Sequence, residues 1–317
     1  MTTTRYSELI ANLATDATSA KKSYHFVRLM GRDASHITVE CALQTHPNLV
    51  LVSEEIQSQK KTLVDCVNEI VNLIVERAKI GKNYGIILIP EGLEQFLDDM
   101  RHLIDEINEL LASGSTAENV AQNMKPEIAA LFNFLPADIR GQLLLDRDPH
   151  GNVQISKIDT EKLLCSLTEK ELSRLKADGT YTGSFNGICH FLGYEGRCSL
   201  PSVFDCNYTN ALGHTAGALL EAGKTGLIAC IQNLTQPVLY WRPRGIPLTS
   251  LMNVERRHGK NKPVIKKHII QPESSATLRA LLSKRENWRL KDMYRNPGSI
   301  QHYGPVADLL NFTVQLG

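Results

Sequence analysis

Short apolar runs alternate with helical periods through the first part of the chain. Residues 5–19 carry helical spacing, and Tyr24–Leu29 is a strand-like run ending at Met30-Gly31-Arg32. Asp33 and Ser35 stand where a helix reaching about His46 would take its cap. Leu49–Val52 is apolar and β-branched, a second strand. Leu63, Val64, Val67, Ile70, Val71 and Ile74 recur at three and four residues, so a helix follows, with Gly81 placed to end it. Ile86–Ile89 is a third strand, ending at Pro90-Glu91-Gly92. From Leu93 to Leu111 the apolar positions predict one long amphipathic helix. Strands of four to six residues between such helices imply βαβ units and a parallel sheet.

The alternation breaks at Ser113-Gly114-Ser115, where short helical stretches interrupted by Pro126, Pro136 and Pro149 begin. Residues 114–182 therefore read as a helical insertion in the α/β body. The α/β pattern resumes at Phe185–Leu192, followed by Gly193-Tyr194-Glu195-Gly196-Arg197. Ala211–Ala222 is a small-residue helix, and Leu227–Gln232 predicts another buried strand. Beyond Tyr240 the chain is polar and Pro-rich, and the basic run 255–268 reads as a mobile solvated loop.

Composition narrows the function classes. The 317 residues are 42% hydrophobic, enough for a sizeable core without disulfides. Lys and Arg total 35 against 34 Asp and Glu, a net charge of +1. That balance argues against a generic binder of nucleic acid or anionic membrane. The N-terminal stretch is not a secretory signal, and the apolar runs are far too short to span a membrane. Seven scattered cysteines with no C-x-x-C fit neither a zinc site nor a disulfide framework, so a reduced, cytoplasmic setting is expected.

Three loops directly follow predicted strands, the position where open α/β sheets bind ligands. They are Met30-Gly31-Arg32, Pro90-Glu91-Gly92 and Gly193-Tyr194-Glu195-Gly196-Arg197. The glycines allow close backbone approach, the arginines can fork onto phosphate, and the carboxylate can accept from sugar hydroxyls. Together they describe a pocket for a phosphorylated polyol, although each residue alone also fits a structural role. Glu54-Glu55 follows a strand too and reads as a solvated helix start. Cys189 and His190 are adjacent on a strand and should face opposite ways. Cys198 reads as a packing residue in a ligand loop, and Lys21-Lys22 could reach a phosphate in this or a neighbouring subunit. Neither Gly-x-x-x-x-Gly-Lys-Ser/Thr nor Gly-x-Gly-x-x-Gly occurs.

At these residues the chain resembles the phosphofructokinase family, in its long, pyrophosphate-dependent branch. The matching stretches are FVRLMGRDASHITVECALQTHPN, GIILIPEGL, ADIRGQLLL, HFLGYEGRCSLPSVFDCNY and YRNPGSIQ, in family order from about Thr4 to about Tyr303. The resemblance implies an α/β fold of parallel sheets flanked by helices. It also implies transfer of phosphate from pyrophosphate (or ATP) to fructose 6-phosphate in glycolysis, giving fructose 1,6-bisphosphate. Met30, Gly31 and Arg32 match the loop that contacts the sugar and the phosphoryl group, with Arg32 the catalytic arginine. Glu91 matches the glutamate on sugar hydroxyls, and Tyr194, Glu195, Gly196 and Arg197 match the segment at the sugar phosphate. Lys22 matches the first residue of a Lys-Tyr pair that reaches a neighbouring subunit's site, which implies a homo- or hetero-oligomer; Ser23 replaces the tyrosine here.

The family's Gly-Gly-Asp donor loop and its Thr-x-Asp/Asn-x-Asp segment with the catalytic aspartate do not occur in these residues. On that ground residues 1–317 are expected to be a partial phosphofructokinase domain, its acceptor side, inactive alone. Magnesium would then bind through residues missing from this chain. The alternative is a non-catalytic regulatory or sugar-phosphate-sensing subunit.

Overall fold

The computed structural model describes residues 2–297 apart from 32–34, 118, 148–150, 258–259 and 266–267; the side chains of 197, 255–257 and 260 also lie outside that description. In chain order the elements are α1 (Thr2–Ala20), β1 (Ser23–Leu29), α2 (His36–Thr45), β2 (Leu49–Val50), α3 (Ser53–Ser58), α4 (Leu63–Lys79) and β3 (Tyr84–Pro90). There follow α5 (Asp98–Ala112), α6 (Val120–Asn123), α7 (Pro126–Phe134), α8 (Ala137–Leu145), α9 (Thr160–Ala177) and β4 (Gly187–Leu192). The last elements are α10 (Val203–Glu221), β5 (Leu227–Gln232), β6 (Arg242–Pro247), β7 (Met252–Arg257), β8 (Lys260–Ile265) and α11 (Ala276–Arg289).

The expected parallel sheet is present, in the order β2-β3-β1-β4. Strand alternation divides its side chains between two layers. Tyr24, Phe26, Ile87 and Ile89 pack against α4, α5 and α9. Val27, Leu29, Ile86 and Leu88 pack on the other side, against α1, α2 and α11. Residues on α7, α8 and α9, including Phe132, Ile139 and Leu164, share the first of these cores.

Several expectations need correction. The long helix expected from Leu93 is two pieces, a 3-10 turn over Leu93–Gln95 and then α5. The break falls at Leu97, whose extended backbone (φ −77°, ψ 128°) cannot continue a helix. Ser35 does not cap α2 through its side chain; its hydroxyl instead accepts from the Ser53 amide at 2.9 Å. Asp33, the other cap candidate, lies outside the described residues. α10 starts at Val203, well before Ala211, because Ser202 and Asp205 form a reciprocal capping box.

The strand expected to be buried at Leu227–Gln232 pairs only with β6, and Ile231 alone of its residues is buried. α10 buries just Thr215, leaving Val203, Phe204 and Leu220 exposed. The basic run 255–268 is not simply a loop: Met252–Arg257 and Lys260–Ile265 pair as an antiparallel hairpin. Among the described residues, no helix is long and apolar enough to cross a membrane, and the seven cysteines are free thiols.

Candidate active site at the carboxyl ends of three strands

Because β3, β1 and β4 are parallel neighbours, the three loops expected to form a pocket emerge side by side. Backbone bonds stitch them at the exit. The Met30 amide donates to Leu192 O at 3.0 Å, and the Glu91 amide donates to Leu29 O at 3.1 Å. Glu91, only 3% exposed, then accepts from the Gly31 amide through Oε2 at 3.0 Å. Gly92, at φ 79°, turns the chain down into the Leu93–Gln95 turn, a conformation that favours glycine.

The third loop is anchored from α1. Tyr6 is fully buried, and its hydroxyl donates to Gly193 O at 2.7 Å. Glu195 accepts from the Gly193 amide at 2.9 Å, folding the loop on itself. Gly196 lies flat on the Tyr6 ring, so any Cβ there would overlap the ring. Tyr194 is 67% exposed.

Met30, Gly31, Glu91, Tyr194, Glu195 and Gly196 are thus brought together. Arg32 lies outside the described residues, as does the side chain of Arg197, whose backbone closes the Tyr194–Arg197 turn. Lys22 is not in this group: it is exposed and precedes β1 at the opposite end of the sheet. Eight residues of strand at about 3.3 Å each separate it from Met30 by roughly 25 Å.

Other residues, outside the expected site group, lie around these loops. Glu54 and Glu55 are not a solvated helix start; both are buried. Glu54 Oε1 accepts from the Ser35 amide at 3.1 Å and from the Ile270 amide at 3.2 Å. Glu55 takes a bidentate pair from Arg285 on α11 at 2.7 and 2.8 Å. That they follow a strand, like the three loops, is visible in the sequence; that they are buried is not. Arg28 is a buried cation inside β1. Its Nε meets Glu161 Oε2 at 2.6 Å, its Nη2 meets Asp159 at 3.3 Å, and its guanidinium covers the Phe191 ring at 4.0 Å. A charge within a strand buried on both faces was the available signal. As expected from alternation, Cys189 and His190 diverge. The Cys189 thiol donates to Glu161 O, while His190 meets His25 at 2.9 Å on the other face. Cys198, expected to pack, is exposed.

Beneath the Glu91 loop, Glu94 is fully buried, and the Thr160 hydroxyl donates to its Oε1. Burial pushes its carboxyl up to about 7, against the pull of Thr160 and Arg28. In the unfolded chain it would titrate near 4.3. Between those values the native state holds a proton that the unfolded state has released. Stability is therefore expected to fall as pH rises from about 4.3 to about 7. Glu94→Gln should remove that part of the slope in urea midpoints taken at pH 5 and pH 7.5; an unchanged slope would refute the assignment.

No three His, Cys, Asp or Glu side chains converge as a metal site among the described residues.

The family model for phosphofructokinase matches residues 2–131. The chain is 53% identical over 313 residues to the pyrophosphate–fructose 6-phosphate 1-phosphotransferase subunit beta 2 of Arabidopsis thaliana, covering 98% of this chain and 55% of that protein. It is 48% identical over 327 residues to the pyrophosphate–fructose 6-phosphate 1-phosphotransferase of Treponema pallidum, covering 99% and 57%. It is 42% identical over 308 residues to the subunit alpha 2 of the Arabidopsis thaliana protein, covering 95% and 50%. The chain spans little more than half the length of these relatives. Matching motifs, a parallel α/β sheet and identity along nearly its whole length agree: residues 2–131 match the phosphofructokinase family, and the chain as a whole is similar to the pyrophosphate-dependent type.

Proposed function

We propose that this chain forms the fructose 6-phosphate side of a phosphotransferase that moves a phosphoryl group from pyrophosphate to the sugar's 1-hydroxyl, giving fructose 1,6-bisphosphate. The observation that carries this reading is the meeting of three loops at adjacent strand ends, with Glu91 locked to the Gly31 amide. In it, Glu91 accepts from sugar hydroxyls, and Tyr194, Glu195, Gly196 and Arg197 hold the sugar phosphate. Arg32 stabilises the phosphoryl group in flight, where a guanidinium fork matches the charge spread over its oxygens. Pyrophosphate is preferred to ATP as donor because the relatives' names carry it.

Phosphoryl transfer also needs a base, a metal and a donor cradle. The described residues hold no metal cluster, and neither Gly-Gly-Asp nor Thr-x-Asp/Asn-x-Asp occurs in the 317 residues. We therefore assign these residues sugar-phosphate binding without turnover on their own, with base, magnesium carboxylates and donor loop supplied from elsewhere. Exposed Lys22, at the far end of the sheet, is assigned to a neighbouring subunit's site. The large apolar side chains left bare on α10 support an assembled state, since patches of this kind mark interfaces.

Calorimetry and a coupled assay test this directly. The chain should bind fructose 6-phosphate and yield no fructose 1,6-bisphosphate with pyrophosphate and Mg²⁺. Measurable turnover would overturn the assignment of base and donor loop to other residues; absence of sugar binding would overturn the site. Arg197→Ala should raise the Kd for fructose 6-phosphate more than about fivefold, the loss of one charge-assisted hydrogen bond worth at least about 1 kcal/mol. An unchanged Kd would remove Arg197 from the site.

A further inference from the structure

A closed ring of contacts runs under the loops described above. From the Gly31 amide it passes to Glu91 Oε2 at 3.0 Å, and along the backbone through Gly92 and Leu93 to Glu94. Glu94 is joined to Thr160, the first residue of α9, and the next residue, Glu161, meets Arg28 Nε at 2.6 Å. Arg28 lies two residues before Met30, which closes the ring. The same guanidinium covers Phe191, just ahead of the Gly193 loop. Every side chain in the ring is buried.

In this ring Arg28 Nε and Glu161 Oε2 have no hydrogen bond but are paired as ions at 2.6 Å, whereas Glu94 has no such ion pair among the described residues. Its Oε2 is buried and has no hydrogen-bond partner among the described residues. Glu161 has its own cation in Arg28. Asp159 is shared by Arg28, Lys162 and Gln142. An ionised carboxylate here would carry a fully buried charge with no ion pair of its own, met by the Thr160 hydroxyl, a backbone amide and the more distant Arg28, a costly state. A neutral carboxyl would not.

We propose that Glu94 is a positioning residue that holds the Glu91 loop through Thr160 in its protonated form, coupling sugar-phosphate binding at that loop to one proton. The groups facing it are Thr160 and Glu161 from α9 and Arg28 from β1. Ionised Glu94 competes with Glu161 for the Arg28 guanidinium and is repelled by Glu161 itself. Either response shifts the turn that aims Glu91, and Arg28 with it. Burial holds the Glu94 proton into the neutral range, so the change falls near working pH. Glu91 touches the sugar in this scheme, and Glu94 acts only through it; the inference rests on the proposed fructose 6-phosphate site.

The test is the Kd of the full chain for fructose 6-phosphate from pH 5.5 to 8.5, in wild type, Glu94→Gln and Thr160→Val. The wild-type affinity should fall at least threefold more than that of Glu94→Gln between pH 6 and 8. The ligand's own phosphate titration is common to both and cancels in the comparison. Glu94→Gln should bind as the wild type does at pH 6, since an amide reproduces the neutral acid, and Thr160→Val should bind more weakly at every pH. Superimposable pH curves for wild type and Glu94→Gln would overturn the proposal. Amide exchange over residues 91–95 gives a reading that needs no ligand. It should quicken above pH 7 in wild type, relative to Glu94→Gln, after correction for intrinsic pH dependence. If the wild type binds no sugar phosphate, the site assignment fails while exchange still decides the role of Glu94. Identical corrected exchange in the two proteins would overturn it on its own.

Discussion

Arg77→Met is expected to destabilise the protein by about 3 kcal/mol or more, the scale for breaking a buried ion pair by removing one partner. Arg77 on α4 has no exposed side-chain surface. Its Nε donates to Tyr84 O at 3.0 Å, Nη1 to Arg289 O at 2.9 Å and Nη2 to Asp292 Oδ1 at 2.8 Å. One guanidinium therefore ties α4, the start of β3 and the end of α11 together. Methionine fills the volume but leaves two carbonyls and a carboxylate oxygen short of a donor. Asp292 keeps Lys82 at 2.7 Å and the Tyr84 hydroxyl at 2.7 Å, which limits the loss. Arg77→Lys should rescue little, because a point charge cannot serve three acceptors set for a planar fork. Urea unfolding measures the cost. A loss below about 1 kcal/mol would show that the α11 end is not held by this residue. The proposed sugar site lies at the other end of the sheet, so fructose 6-phosphate affinity in the folded variant should stay near that of the wild type.

What the sequence made legible was local. The strands at 24–29 and 86–89, and the loops after them, could be read because apolar runs and strand-end position are properties of neighbouring residues. That Gly31, Glu91 and Gly193 would meet followed from parallel order. The supports were hidden because they join residues far apart. Tyr6 to Gly193 spans 187 residues, Arg77 to Asp292 spans 215 and Thr160 to Glu94 spans 66. No period marks such pairs. Glu54 illustrates the cost of a composition habit: two adjacent glutamates look solvated, yet one receives two amides and the other a bidentate arginine. Helix 93–111 failed for a related reason. Its apolar spacing is sound, but Leu97 leaves the helical region, and buried Glu94 anchors the preceding turn. At Leu227–Gln232 the opposite error arose. Its apolar run suggested a buried strand, whereas Ile231 alone of its residues is buried.

Gly196→Ala is expected to cut fructose 6-phosphate affinity more than about tenfold while costing about 1–3 kcal/mol of stability, the range for overpacking a fixed site. The new methyl would overlap the Tyr6 ring, and the ring has nowhere to go. Tyr6 is fully buried in the layer under α1, and its hydroxyl is committed to Gly193 O. The exposed 3-10 turn over Tyr194–Arg197 must therefore give way instead. That motion carries Tyr194 and Arg197 off the position that β4 and Tyr6 set for them. Tyr6→Phe separates the two roles of the ring. It keeps the surface on which Gly196 rests and removes one hydrogen bond, while Gly193 O still accepts from the Gly196 amide at 3.1 Å, so the cost should be about 0.5–1.5 kcal/mol. Its Kd should rise far less than that of Gly196→Ala. Combining Gly196→Ala with Tyr6→Ala makes room for the methyl, so the double variant should bind better than the sum of the single losses predicts, with a coupling of at least about 0.5 kcal/mol. Additive losses would mean that the two residues do not press on each other, and wild-type affinity in Gly196→Ala would take the third loop out of the sugar-phosphate site.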